Sequence, residues 1–331
     1  MDYFNLIAAA LFSGIAVILG LLSTLSSLSP KPRRRRENEK YYRDAHSADR
    51  KPFGSVFDEA TVQLSCVVPA FDESKRLPTM LKETVQYLEN RKADDQTFSY
   101  EIIVVDDGSR DDTVNVALKF AQEHKHVDLR VLGLEINRGK GGAVTQTYGF
   151  VLIVQGMLVA RGEHCLMVDA DGATRFSDLA MLEKALKKVS VDGQGIAVGS
   201  RAHLVSTEAV VKRSFIRNLL MRGFHLLVYV LGVRGIDDTQ CGFKLFTRKT
   251  AQIVFPNMHV ERWIFDIECL MIAQSQNIPI AEVQVNWHEI DGSKVNLMRD
   301  SIQMARDLLL IRLNYILGFW QVDVNKAIKG Q

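Results

Sequence analysis

The chain has 331 residues, 41 Lys and Arg against 39 Asp and Glu, and 47% apolar residues. That length can bury a sizeable core, as one large α/β domain or two smaller ones; the balanced net charge says little about partners, and no nucleic-acid partner is expected. Four cysteines, Cys66, Cys165, Cys241 and Cys269, are widely spaced without a Cys-x-x-Cys, which argues against a zinc site and a disulfide framework and for buried thiols in a reducing compartment.

In chain order, Leu6 to Leu28 is almost uncharged and reaches the ~20 residues that cross a hydrocarbon core. Asp2 precedes this run and Lys31 and Arg33 to Arg36 follow it, the reverse of a cleaved signal peptide. The expectation is an uncleaved anchor over residues 1–30, with its basic flank and everything after it cytosolic. The chain has no Asn-x-Ser/Thr acceptor, which is compatible with that orientation. Residues 31–60 are polar and charged with little periodicity and read as a tether whose basic start can touch anionic lipid.

From Gln63 strands and helices alternate. Gln63 to Pro69, Tyr100 to Asp106, Leu129 to Leu134, His164 to Asp169 and Gly195 to Gly199 read as strands. Helical spacing marks Pro78 to Arg91, the stretch around Val114 to Ala121, Gly141 to Val159 and Asp178 to Val189. Strands separated by such helices predict a mostly parallel sheet covered on both faces, which binds ligands beyond the carboxyl ends of its strands.

The polar motifs of the first half fall at those ends. Val68-Pro69-Ala70-Phe71-Asp72-Glu73, Val105-Asp106-Asp107-Gly108-Ser109 and Asn137-Arg138-Gly139-Lys140-Gly141-Gly142 follow the first three strands, and Asp169-Ala170-Asp171-Gly172 follows the fourth. An acid at such an end can accept from a nucleobase or ribose, and the glycine-rich loop can approach a diphosphate with Lys140 neutralising it. Asp169 and Asp171 are hard oxygen donors suited to Mg²⁺ or Mn²⁺ carrying a diphosphate. Each motif taken singly is also a serviceable polar turn. No Walker A and no Gly-x-Gly-x-x-Gly after the first strand is present, which disfavours P-loop and dinucleotide readings.

Taken jointly, those motifs together with Gly199-Ser200-Arg201 and Asp238-Thr239-Gln240-Cys241-Gly242-Phe243-Lys244 occur in the order seen in inverting GT-A glycosyltransferases of the dolichol-phosphate mannose synthase type, which the chain resembles over roughly residues 63–320. The resemblance implies a GT-A, Rossmann-like α/β domain over 61–295, after one transmembrane helix. By that likeness Pro69, Phe71, Glu73 and Asp107 cradle the nucleoside, Asp169 and Asp171 hold the metal and diphosphate, and Gln240 joins the substrate set. Mannose synthases of this type often continue Asp-x-Asp-Leu-Gln with the Gln near the metal. Ala173 stands there instead, which leaves Thr174 or water as a third ligand. The single anchor with its basic flank and the Asp-Asp-Thr-Gln-Cys-Gly-Phe-Lys form look most like the glucosyl-transferring branch of the family. That likeness implies transfer of glucose from UDP-glucose to dolichyl phosphate with inversion, at the cytosolic face of the endoplasmic reticulum membrane. GDP-mannose is the rival donor, and a catalytically silent nucleotide-binding scaffold is the rival of a different class.

The second half carries what a lipid phosphate needs. Lys212, Arg213 and Arg217 open a helix that turns apolar through Leu219, Phe224 and Leu231. Arg213 and Arg217, sharing one face, could bind a phosphate headgroup with Arg201 while the apolar part lies against the bilayer. A core helix with a basic surface face has the same pattern. Asp266, within Arg262 to Glu268, is expected to orient the sugar or to serve a helix start, and Lys294 in Gly292-Ser293-Lys294 to close on the diphosphate. Residues 296–331 are expected to form an amphipathic helix at the membrane interface, or one whose end packs on the sheet.

Overall fold

The computed structural model describes residues 37–47, 49–106, 108–133, 154–206, 227–260, 264–290 and 297–325, together with Gly20, Leu25, Ser27, Ser29 and Gly223. Its centre is a seven-stranded sheet. In chain order the strands are β1 (Val62–Ala70), β2 (Tyr100–Asp106), β3 (Leu129–Gly133), β4 (Gly162–Val168), β5 (Ile196–Ser200), β6 (Phe243–Thr247) and β7 (Ile280–Gln284). Their spatial order is β3-β2-β1-β4-β6-β5-β7, and only β6 runs antiparallel to its neighbours. The inner strands are apolar on both faces, as strands buried between two helical layers must be.

Each face carries its own core. α1 (Leu77–Asp94), α2 (Thr113–Glu123) and α3 (Leu179–Val189) cover one, and α4 (Arg248–Val254), α5 (Phe265–Ser275) and α6 (Leu297–Ile316) the other. α1 starts where Pro78 needs no N–H partner and buries Leu77, Met80, Leu81, Thr84, Val85 and Leu88, one stripe at helical spacing. α5 is buried all round from Phe265 to Ala273, so its two acids, Asp266 and Glu268, must find partners inside the protein. Glu268 accepts from the backbone N–H groups of His259 and Val260 and from the Tyr315 hydroxyl. With Trp320 stacked on His259 at 4.3 Å, this ties the end of α6 to α5.

Three features depart from the sequence-based picture. β6 and α4 fill a stretch where only a motif was expected, and β7 closes the far edge. The second part of the expected tether is fastened to the domain. Tyr41–Tyr42 pairs with Lys51–Pro52, Arg43 exchanges backbone hydrogen bonds with Val131 of β3, and Val56 is fully buried. Most of the expected span lies outside the described residues, among which no helix is long and apolar enough to cross a membrane. Where that segment ends, Leu25 is buried and Ser29 shares hydrogen bonds with Asn314 of α6.

Candidate active site

β4 delivers Asp169 and Asp171 to the carboxyl end of the sheet, in the middle of its width. Gly172 then turns the chain at φ +71°, a conformation that costs other residues energy. The following segment is clipped to the continuation of β7. Trp287 bridges Thr174, the His288 N–H donates to the Ala173 carbonyl at 3.0 Å, and the Arg175 N–H donates to the Asn286 carbonyl at 2.9 Å. On the other side, the Asp169 N–H donates to the carbonyl of Gly242, and a Cβ at Gly242 would collide with the Asp169 carboxylate. The acid pair therefore sits in a frame of backbone on both flanks.

Around the pair lie three cations, each committed to another acid. Arg76 forms a forked bond to Glu73 at 2.7 and 2.5 Å, Arg201 a forked bond to Asp238 at 2.7 and 3.0 Å, and Lys244 a 2.5 Å ion pair with Asp266. Among the described residues this leaves Asp169 and Asp171 without a cation of their own. The consequence shows in Asp169. It opens into the cleft on one side but lies deep in the body of the domain, and its poor solvation, followed by the charges of Asp171 and Asp266, pushes its pKa up to about 7. An uncompensated pair of carboxylates fits a divalent cation. Among the described residues no three His, Cys, Asp or Glu side chains are grouped to hold a metal, so the protein would supply two ligands and leave the rest to water and a diphosphate, as Mg²⁺ and Mn²⁺ commonly accept.

The loops after β1 and β2 are knitted together. The Asp72 N–H donates to Ser109 Oγ, the Glu73 N–H to Thr113 Oγ1 at 2.8 Å, and the Arg110 N–H to Asp72 Oδ1 at 2.7 Å. Asp106 accepts from the N–H groups of Gly108 and Ser109, although burial raises its pKa. This fixes Pro69 at the end of β1 and Phe71 beside it, the ring facing the Arg110 guanidinium at 5.6 Å. Glu73 is joined to Arg76, and Gln240 takes an N–H contact to Asp238 and lies against Met304 of α6. Asp107, Lys140, Arg213, Arg217 and Lys294 lie outside the described residues.

Arg201 was expected to stand ready for the acceptor phosphate. It is instead held by Asp238, whose own backbone N–H is fixed by Glu282 of β7 at 2.9 Å, and it faces Trp287 at 5.6 Å. Burial works to raise Asp238, but Arg201 holds its pKa below the ordinary carboxylate value. In the sequence Lys244 stands only as the last residue of the Asp238 to Lys244 motif, with no role given to it, and Arg76 is not singled out. Arg76 carries no motif signal, whereas a lysine inside the apolar run Phe243 to Phe246 demands a buried partner and was legible for that reason.

A family model described as "Glycosyl transferase family 2" matches residues 65–252, a span that runs from β1 into α4 and includes the acid pair and all three neutralised cations. The chain belongs to glycosyl transferase family 2. Proteins named dolichyl-phosphate beta-glucosyltransferase are similar to it along most of their length. That of Dictyostelium discoideum is 48% identical over 290 residues, covering 86% of each chain. Homo sapiens has one 46% identical over 324 residues, 97% of each chain, and Saccharomyces cerevisiae one 43% identical over 274 residues, 80% of this chain and 78% of its own. The fold is also that of glucosyl-3-phosphoglycerate synthase from Mycobacterium tuberculosis, solved with Mn²⁺, UDP and glucosyl-3-phosphoglycerate. It has a TM-score of 0.51 and 15% identity, over 76% of this chain and 80% of that one.

Proposed function

We propose that this family 2 enzyme transfers glucose to dolichyl phosphate, with UDP-glucose as the donor and Asp169 and Asp171 at the centre of the reaction. The observation that carries the assignment is the likeness, along almost the whole chain, to proteins named for that activity, on a domain whose acid pair is joined to no ion-pair partner among the described residues.

The chain's own residues suggest how the reaction proceeds. A phosphate monoester is largely ionised near neutral pH, its second pKa being about 6, so the acceptor needs no general base. The site has to hold that anion behind the anomeric carbon and stabilise the diphosphate as it leaves. Asp169 and Asp171 would hold Mg²⁺ or Mn²⁺, whose charge neutralises the departing diphosphate. Lys140 and Lys294 are proposed to add to that neutralisation, and Phe71, Pro69, Glu73 and Asp107 to hold the nucleoside, with Gln240 at the substrate. Because Arg201 already neutralises Asp238, the acceptor phosphate is assigned mainly to Arg213 and Arg217, with the uncommitted edge of Arg201 as a third donor. Attack opposite the leaving group inverts the centre, so an α-linked donor gives a β-linked product.

Membrane placement is proposed on charge and apolar surface. The Leu6 to Leu28 run with its basic flank serves as a single anchor in the endoplasmic reticulum membrane, with the domain on the cytosolic side. α6 presents Ile302, Leu309 and Ile316, seven residues apart and exposed, followed by exposed Leu317 and Phe319, an apolar stripe suited to the interface beside that anchor. The test is detergent-solubilised protein with Mg²⁺ and dolichyl phosphate, offered UDP-glucose, GDP-mannose and UDP-N-acetylglucosamine in parallel. A β-linked glucosyl lipid is expected; preference for GDP-mannose would overturn the donor, and no lipid product would overturn the function.

A further inference from the structure

Lys244 is the second residue of β6, 1% exposed, with its ammonium 2.5 Å from Asp266 Oδ1 and 2.6 Å from the Cys241 carbonyl. The register of β6 against β4 sets Lys244 opposite Met167. Side chains alternate along a strand, so Lys244 shares a sheet face with Met167 and with Asp169, the face on which α5 packs. Asp266, in the first turn of α5, thereby comes close enough for its charge to be felt at Asp169.

Stability alone gives no reason for this arrangement. Two charges are expensive to bury, and well-packed apolar residues of similar volume commonly do as well or better. The geometry is also one-sided: Lys244 engages Oδ1 of Asp266, and among the described residues Oδ2 has no hydrogen-bond partner. That oxygen is not sealed from solvent, since the Asp266 side chain keeps 9% exposure, so it remains open to a donor from a ligand such as a hydroxyl. A neutral ion pair suits an uncharged sugar. Without Lys244, Asp266 would be a bare buried carboxylate whose charge adds to that of Asp171 at Asp169. We propose that Lys244 is a positioning residue that locks Asp266 by one oxygen and so presents the other to a hydroxyl of the sugar being transferred.

The proposal rests on the donor assigned above, and the experiment separates the two. Full-length protein in detergent with Mn²⁺ is titrated with UDP-glucose and with UDP, as wild type, Asp266→Asn, Lys244→Met and the double variant. Asp266→Asn keeps an oxygen for Lys244 and replaces the free acceptor by a donor. It should weaken UDP-glucose at least about tenfold while leaving UDP within about twofold, the size of effect expected when a buried hydrogen bond is lost. Lys244→Met should show the same split, and in the double variant, which buries no lone charge, Lys244→Met should cost nothing beyond Asp266→Asn. Equal weakening of UDP and UDP-glucose would make the pair merely structural, and additive losses would mean that Lys244 acts elsewhere. Either result overturns the proposal. If wild type instead prefers another sugar nucleotide, the donor assignment falls and the same cycle run with that nucleotide decides the role of Lys244.

Discussion

Asp169 and Asp171 occupy one position in the charge pattern, but their surroundings differ. Asp171, half-buried, accepts from the Ala173 N–H at 2.9 Å, whereas Asp169, the more exposed of the two to the cleft, has its carboxylate against Gly242. Asp171→Asn removes charge without changing shape. It should lower turnover by about two orders of magnitude or more and weaken Mn²⁺-dependent UDP binding, with the melting temperature unchanged. A folded Asp171→Asn protein with wild-type turnover would refute the metal assignment. Gly242→Ala acts on the partner acid by steric means, driving a methyl into the Asp169 carboxylate. Overpacking of this kind costs about 1–3 kcal/mol, and the expected result is a less stable protein whose Mn²⁺ affinity falls together with its activity. Asp169 also predicts a pH dependence. Its folded pKa, near 7, lies above the unfolded value of 3.8, so the metal-free folded state binds more protons than the unfolded one over that interval and loses stability as pH rises through it. A divalent cation requires the ionised form. The thermal stabilisation by Mn²⁺ should therefore grow from pH 5.5 to pH 8, and Asp169→Asn should abolish the trend.

At the scale of elements, the sequence was most legible where one physical signal dominated. Tyr100–Asp106 is buried along its whole length and reads directly as an inner strand, and α1 and α3 show an apolar stripe at helical spacing. β6 was harder because its Phe-Lys-Leu-Phe-Thr run carries a buried charge whose partner, Asp266, lies 22 residues further on, and local patterning does not report such distances. β7 was hidden by its edge position, half-buried and carrying Glu282, whose carboxylate proves to hold the backbone of Asp237 and Asp238. The polar composition of residues 41–60 suggested a tether because few side chains are apolar. The segment is held instead by backbone pairing and by the Arg248 guanidinium on the carbonyls of Ser55 and Asp58, interactions with no compositional signature. Within the site, the strand-end position of the acids was readable, but the neutralisation of Arg201 by Asp238 was not, since it joins two loops brought together only by the sheet. That neutralisation predicts a division of labour. Exchanging both Arg213 and Arg217 for Gln should raise the KM for polyprenyl phosphate by about tenfold or more with little change for the sugar nucleotide. Arg201→Gln should also loosen the loop that Asp238 holds and so affect both substrates. A double Gln variant that shifts both KM values equally would move those arginines out of the acceptor site.

For the whole molecule the decisive question is how the domain meets the membrane. The described end of the N-terminal segment is fixed to α6 by hydrogen bonds between Ser29 and Asn314, and Leu25 is buried there. α6 is in turn bound to α5 through Tyr315 and Glu268, and the first turn of α5 carries Asp266, whose charge reaches Asp169. The proposed anchor, joined to the catalytic body in this way, would hold the cleft at a set height above the lipid, which would favour a substrate whose phosphate stays near the bilayer surface. The proposed orientation rests on the basic cluster after the expected span, since such clusters remain on the cytosolic side. Protease added to sealed microsomes should therefore digest the domain, and an Asn-x-Thr acceptor introduced into the exposed Val191 to Gly193 turn between α3 and β5 should stay unglycosylated. The same variant should remain unmodified when Asn314→Ala loosens the contact with Ser29, because charge and not packing sets the topology. What Asn314→Ala should change is turnover of membrane-bound dolichyl phosphate relative to a short, water-soluble polyprenyl phosphate, by a few-fold, measured in proteoliposomes. Glycosylation of the Val191 to Gly193 acceptor would place the domain in the lumen and overturn the proposed orientation.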